Sequence, residues 1–402
     1  MLNVLTLKEA ENLLNEKFAA HKTLPETIES KSALGRAFYE DIKADEFVPG
    51  FTRSTVDGFA VKASDTYGSS AAIPAMLEYK GEILMGKEAA HHLSGGDCYK
   101  ISTGGMLPAG ADAAIMVEHT EDMGDSFVYT VKAVAPGENL VQKGDDVKAG
   151  DLYLRRGSQI GPKEIGALAA TGKEKIQVFK KPKVAILSTG DELVSPEEKP
   201  EIGQVRDVNS RLLTAAVEQA GGQALTFDIV CDEYAAIKRA IKEALEGSDM
   251  VLISGGSSAG EKDMTVDIIG QLGQVFMHGL ALKPGKPTII GAVGGKPVIG
   301  LPGHPVAAFF VFKELLKPLI GLMTDTKVKK AGRRANLSTN YPSNHGREEI
   351  VPVRLLDEND KAEPLFIKSG LLTLLGKADG YIKIPRDSEG LKKGQEVEIY
   401  LF

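Results

Sequence analysis

Cysteine occurs only twice in this chain, at Cys98 and Cys231, and the two stand far apart. That excludes a disulfide framework and a cysteine metal knot, and it fits a reducing compartment. A surplus of positive charge is also lacking: 48 lysines and arginines against 55 aspartates and glutamates leave a net charge of −7. General nucleic-acid binding wants a basic face, and this balance argues against it. No apolar run approaches the roughly 20 residues that span a bilayer. The longest, VAAFFVF at 306–312, reads as a buried helix. The opening MLNVLTLKEAENLLNEKF lacks the basic head, apolar core and cleavage site of a secretory signal. These absences predict a soluble, cytoplasmic protein with no nucleic-acid or membrane partner.

What is present is a chain of 402 residues, 43% hydrophobic and 26% charged, which implies a soluble protein of two to four domains. Near the start, Thr6 and Glu9 have the spacing of a capping box, and Leu7, Ala10, Leu14 and Phe18 share one helical face. Residues 182–321 alternate between strand and helix patterns. KVAILS (183–188), ALTFDIV (224–230), DMVLIS (249–254), PTIIGA and KPVIGL read as strands. Helices are predicted over 210–220, 234–246, after Thr265, and over 306–319. This alternation implies a doubly wound, mostly parallel α/β sheet, whose ligands bind beyond the carboxyl ends of the strands. Residues 53–139 read as a β-rich insertion, and 140–181 as glycine-punctuated strands followed by a short helix near 163–172. After about residue 322, EEIVPVRLL, GYIKIP and EVEIYLF suggest a small β-barrel. There is no internal repeat and no low-complexity linker.

The loops expected at the carboxyl ends of the strands carry the chemistry. The stretch VLISGGSSAGEKD (251–263) passes from strand to helix through Gly255, Gly256, Ser257, Ser258 and Gly260. Glycines allow close approach, and helix-start N–H groups suit an anion. It is not a nucleotide P-loop, because Glu261 stands where that motif needs lysine, and it is not a dinucleotide fingerprint. STGDEL (188–193) supplies Thr189, Asp191 and Glu192; LALKPGKPT (280–288) supplies Lys283 and Lys286; LPGHP (301–305) supplies Pro302, Gly303 and His304. Two lysines, backbone donors and several carboxylates on one edge suit a phosphorylated ligand with a bridging Mg2+. Each piece has a plainer reading: solvated lysines, helix-capping acids, a histidine filling a turn. Asp57 in STVDGFAV, Thr103 in ISTGGMLPAGAD, and Asp145, Asp146 and Asp151 in KGDDVKAGD are open to reading as turn residues. Residue chemistry by itself stops at a phosphate-binding α/β domain of undetermined reaction.

The motifs together resemble a known family. STVDGFAV, ISTGGMLPAGADA, LVQKGDDVKAGD, VAILSTGDELV, ISGGSSAGEKD, LKPGKPT and GLPGHPVAAF occur in the order found in molybdopterin molybdenumtransferases, and in the C-terminal enzymatic domain of gephyrin. The similarity runs from about residue 5 to 401 and includes SGLLTLLGKADGYIKIP (369–385). It implies Mg2+-dependent cleavage of adenylylated molybdopterin, releasing AMP, with insertion of molybdate, a substrate, at the dithiolene sulfurs. It implies an elongated homodimer whose active site is shared between subunits, and partnership with other molybdenum cofactor biosynthesis proteins. The domains it implies are 1–52 with 140–181 for dimerisation, 53–139 inserted, 182–321 for molybdopterin binding, and 322–402 as the barrel. By motif, Glu192 and Asp263 correspond to essential acids near phosphate and metal, and Asp57, Thr103 and Asp146 to contributions of the other subunit, with Asp57 also toward the metal. Lys283, Lys286, Arg347 and Ser369 correspond to the molybdate site; cationic and hydroxyl donors suit a tetrahedral dianion. The chain departs from the family pattern where His304 replaces Asn, where Ala307 replaces Ser, and mildly in SGGSSAGEKD and DGF. Two alternatives follow: a molybdopterin-binding scaffold, or an enzyme cleaving another nucleotide-linked pyrophosphate.

Overall fold

Six strands, the inner ones near-continuous in apolar sequence, form the central sheet of the computed structural model, which describes residues 4–122, 126–255, 259–327, 332–356 and 360–402, with backbone alone for Asp122 and 259–263. Two compact units make up the chain. One comprises Met1–Glu40, Arg156–Gly161 and Lys175–Phe402; the other comprises Asp41–Arg155 and Pro162–Glu174.

In the first unit the strands are β1 (Lys183–Ser188), β2 (Gln223–Thr226), β3 (Met250–Ser254), β4 (Gln274–His278), β5 (Ile289–Val293) and β6 (Lys296–Leu301), in the order β2-β1-β3-β6-β5-β4. The first four of that order run parallel, and β5 is antiparallel to both β6 and β4. Alternate residues serve opposite faces. Val184, Ile186, Met250 and Leu252 pack with Leu213 and Val217 of helix α1 (Val208–Gln219). Ala185, Leu187, Val251 and Ile253 pack with Ile237 and Ile241 of α2 (Tyr234–Gly247) and Ile268 and Ile269 of α3 (Ala259–Leu272). A parallel sheet covered on both faces has no solvent side, which is why these strands read as unbroken apolar runs.

Several expectations need adjustment. The strand predicted over 224–230 leaves the ladder after Thr226 and rejoins at Val230, whose N–H donates to the Ser188 carbonyl at 2.9 Å. Helix α3 begins at Ala259 rather than after Thr265, and β4 was not anticipated. The last helix is α4 (Pro305–Val311), continuing through a π-helical turn, Phe312–Leu316, into α5 (Lys317–Met323). The π turn carries the fully buried Glu314, which accepts hydrogen bonds from the Tyr381 hydroxyl and from Lys383 Nζ.

Tyr381 and Lys383 belong to the C-terminal barrel. Its strands are β7 (Gly332–Leu337), β8 (Glu348–Leu356), β9 (Lys361–Pro364), β10 (Gly380–Ile384) and β11 (Glu396–Leu401), in the order β8-β9-β7-β11-β10, with β10 closing on β8. Closure leaves no open edge around Leu337, Val351, Val353, Ala362, Ile382 and Ile399. Sequence patterning marks three of these strands; β7 and β9 instead carry charged and polar residues on their outer face. A two-residue strand, Leu282–Lys283, adds in parallel to β8. The N-terminal helix Leu7–Phe18 has the expected reciprocal capping box, and Leu7, Ala10, Leu14 and Phe18 are its buried residues.

The second unit holds a six-stranded sheet in the order Ala113–Met116, Gly58–Val61, Asp97–Ile101, Ala75–Ile83, Phe127–Thr130, Thr120–Asp122. Phe59, Val61, Leu77, Cys98, Ile115 and Val128 form its core.

Candidate functional site

Strand register decides which loops meet. Ser188 pairs with Ser254, Ser254 with Leu301, and Ile289 with both Gly300 and His278. The segments beginning at Thr189, Gly255, Gly279 and Pro302 therefore leave from one edge, the carboxyl edge of the parallel strands. Between β1 and β3 the winding reverses, because β2 lies on one side of β1 and β3 on the other, and such a switch point opens a crevice. Thr189 is buried there, and its N–H donates to the Ser254 carbonyl at 2.9 Å. Gly255 has φ +152°, and a Cβ on it would stand 2.2 Å from both the carbonyl and the hydroxyl oxygen of Thr189. The first glycine of the loop is thus demanded by close approach of two strand ends.

Asn209, which sequence inspection had not singled out, ties two of these segments together. Asp207 caps α1 by accepting the Ser210 N–H at 3.0 Å. In the first turn so formed, Asn209 Nδ2 donates to Ser254 Oγ at 2.7 Å and to the Gly303 carbonyl at 2.8 Å. Asn209 Oδ1 and Ser188 Oγ are buried and have no hydrogen-bond partner among the described residues. Buried oxygens left unpaired carry a desolvation cost, and a ligand donor or a cation would relieve it.

The acids at this edge divide. Asp191 Oδ1 accepts the Asp232 N–H at 3.1 Å, which uses it to hold the loop. Glu192 is exposed, and its carboxylate lies over Gly190, where a Cβ would come within 2.7 Å of Oε2. Gly256, Ser257 and Ser258 lie outside the described residues, as do the side chains of 259–263, including Asp263; Gly260 is described only as part of the α3 backbone. Among the described residues no three histidine, cysteine or acidic side chains converge as a metal cluster.

Two barrel segments reach the same edge. Pro302 is buried, Gly303 half-buried, and His304 occupies the N-cap position of α4 without capping it through its side chain. His304 Nδ1 instead lies 3.0 Å from Ser369 Oγ, while the Ser369 carbonyl accepts the Val306 N–H at 3.1 Å. The second segment pairs Leu282 with Glu348 and Lys283 with Glu349. Lys283 Nζ is 2.8 Å from Oε1 of the buried Glu349, which also accepts from Ser343 Oγ at 2.6 Å and the Tyr341 hydroxyl at 3.3 Å. Burial and this carboxylate push the Tyr341 hydroxyl above its ordinary range, so it stays a donor. Lys286 and Arg347 are exposed and have no ion pair among the described residues. The two lysines of KPGKP thus differ: one neutralises a buried acid, and the other leaves its charge available to an anion. Glu349 had a faint signal in sequence, since it alternates in phase with the inward Val351 and Val353.

In the second unit, Asp57 Oδ1 accepts the Thr103 N–H at 2.8 Å, which brings those two residues together. Gly58 begins the strand that follows the bend at 55–57, and a Cβ there would meet the Ile115 carbonyl oxygen at 1.8 Å. Of the acids in KGDDVKAGD, Asp145 accepts the Gln142 N–H at 2.6 Å and Asp151 the Lys148 N–H at 3.1 Å, closing their own turns. Asp146 is exposed, and its carboxylate has no partner among the described residues.

Comparison with known proteins adds three matches to family models. They are the MoeA N-terminal region (domain I and II) over residues 5–172, a "Probable molybdopterin binding domain" over 185–321, and the MoeA C-terminal region (domain IV) over 334–402. A Methanocaldococcus jannaschii protein named for molybdopterin biosynthesis is 36% identical, covering 99% of this chain and 98% of its own. The molybdopterin molybdenumtransferase of Bacillus subtilis is 31% identical over 94% of this chain and 89% of its own. A molybdopterin biosynthesis MoeA protein of Pyrococcus horikoshii, solved by crystallography, superposes with a TM-score of 0.88 at 31% identity, covering 99% of this chain and all of that one.

Proposed function

The chain belongs to the MoeA family, whose N- and C-terminal models it matches and whose relatives it follows nearly end to end, and on that premise we propose that it is a molybdopterin molybdenumtransferase acting on adenylylated molybdopterin. The observation that carries this reading is the convergence of four strand-end segments on one edge with Lys286, Arg347 and Ser369 beside them. The phosphate end of the substrate lies in the crevice beyond β1 and β3. Molybdate, a tetrahedral dianion, is held by Lys286 and Arg347 with the Ser369 hydroxyl, and Lys283 is oriented by Glu349. AMP is released, and molybdate enters at the dithiolene sulfurs.

The donor set fits Mg2+. Glu192 and the oxygens of Ser188 and Asn209 that lack a partner among the described residues are hard oxygen donors, and Mg2+ commonly takes one or two carboxylates plus substrate phosphate and water. Glu192, with Asp263 and, from the second subunit of a homodimer, Asp57 as the further acids, would hold it. When bound, the ion would neutralise phosphate charge and make the nucleotide a better leaving group. The remaining work falls to the protein: fixed N–H and ammonium donors stabilise developing negative charge without reorganising. Asp57, Thr103 and Asp146 complete this reading as contributions from the second subunit of a homodimer.

The test is AMP release from adenylylated molybdopterin by the purified protein with Mg2+, with and without molybdate. Molybdate-dependent release is expected. A folded protein that binds the substrate and releases no AMP would overturn the enzymatic reading and leave a binding role.

A further inference from the structure

Phe366 is exposed to 64%, yet it is not loose. Its ring stacks on Tyr341, with centroids 4.8 Å apart and planes 20° from parallel. Tyr341 is in turn anchored, because its hydroxyl donates to Glu349 Oε1, the same oxygen that meets Lys283 Nζ. Further along the segment, Ser369 is held from the sheet edge through the Val306 N–H and His304. The aromatic is therefore fixed at both ends of its segment. One face is spent on Tyr341, and much of the ring is left to water. Packing alone gives no reason to hold a large apolar ring in that position, one aromatic ring away from the Lys283–Glu349 pair.

We propose that Phe366, backed by Tyr341, is a stacking platform for the planar pterin ring of the substrate. The proposal rests on the molybdopterin reading above. A flat nitrogen heterocycle stacks on an aromatic face in an offset arrangement, and such contacts tolerate varied ring substituents. Placed there, the pterin would carry its dithiolene toward Ser369, Lys286 and Arg347, the groups suited to molybdate. The adenine of the same substrate is the competing occupant. It is disfavoured on the reading above because Ser369, three positions along the same segment, serves the anion that must meet the pterin's sulfurs, whereas AMP departs.

The chain contains no tryptophan, so Phe366→Trp introduces a single indole at the platform. Titration of this variant with an oxidised, redox-stable pterin phosphate is expected to quench its emission saturably, while AMP leaves it unchanged. In turnover, Phe366→Ala is expected to raise KM for adenylylated molybdopterin about tenfold with kcat within about twofold. Its thermal midpoint should match the parent, and Phe366→Tyr should restore KM. Quenching by AMP and not by the pterin would overturn the proposal, as would an unchanged KM in Phe366→Ala from a preparation whose parent releases AMP normally. Failure of the parent itself to release AMP would count against the enzymatic reading, whereas pterin quenching would still support the platform.

Discussion

At the scale of single residues, chemistry that looks alike in sequence is separated by partners. Lys283 and Lys286 share one motif, but only Lys283 neutralises the buried Glu349. Lys283→Met should therefore cost about 1–3 kcal/mol of stability, because it removes a charged donor from a buried carboxylate. Lys286→Met should stay within about 0.5 kcal/mol while weakening the dependence on molybdate. Urea unfolding alongside molybdate titration of AMP release distinguishes the two, and equal effects of both variants would remove the distinction. Gly255 offers a second case. Its φ of +152° and the 2.2 Å approach to Thr189 leave no room for a methyl group. Gly255→Ala should destabilise by about 2 kcal/mol or more and depress turnover, as read by urea midpoint and initial rate.

At the scale of elements, the functional edge depends on segments gripped from outside the sheet. The barrel segment containing Ser369 is attached through the Val306 N–H and through His304. His304→Ala removes one of those attachments and leaves the backbone bond in place. The half-saturating molybdate concentration should rise roughly two- to tenfold, the worth of one hydrogen bond, with little change in melting temperature. An unchanged molybdate response would show that His304 does not position Ser369. Local elements were legible in advance where neighbours in sequence decide them. The N-terminal helix is an example, since the Thr6–Glu9 box and its four buried residues all follow from spacing. Strand β4 and barrel strands β7 and β9 escaped notice because their partners, not their own periodicity, make them strands.

At the scale of the whole molecule, the joint between the last helix and the barrel gives stability a pH dependence. Burial lowers Lys313 from 10.5 to about 8, with Lys317 adding to the effect. Burial together with hydrogen bonding to Glu398 raises Tyr400 from 10.0 to about 12. For Lys313 the unfolded chain binds more protons between about 8 and 10.5, so stability rises with pH across that window. For Tyr400 the folded chain keeps its proton longer, so its contribution is present below pH 10 and is lost as pH rises toward about 12. Urea midpoints should climb from pH 8 to about 10 and then fall, and Lys313→Met should flatten the climb. A parent protein with no rise in that window would contradict the burial of Lys313.

Sequence by itself determined the α/β alternation, the carboxyl-edge position of the chemistry-bearing loops and the β-rich character of the rest. These rest on periodicity and on turn residues acting over a few positions, and the ordered motifs pointed to the family. Tertiary structure alone decided which groups touch: Asn209 bridging Ser254 and Gly303, Glu349 claiming Lys283, His304 turning to Ser369, and Phe366 lying on Tyr341. Those contacts join residues tens of positions apart. They depend on strand register and barrel closure, which short-range preference does not encode.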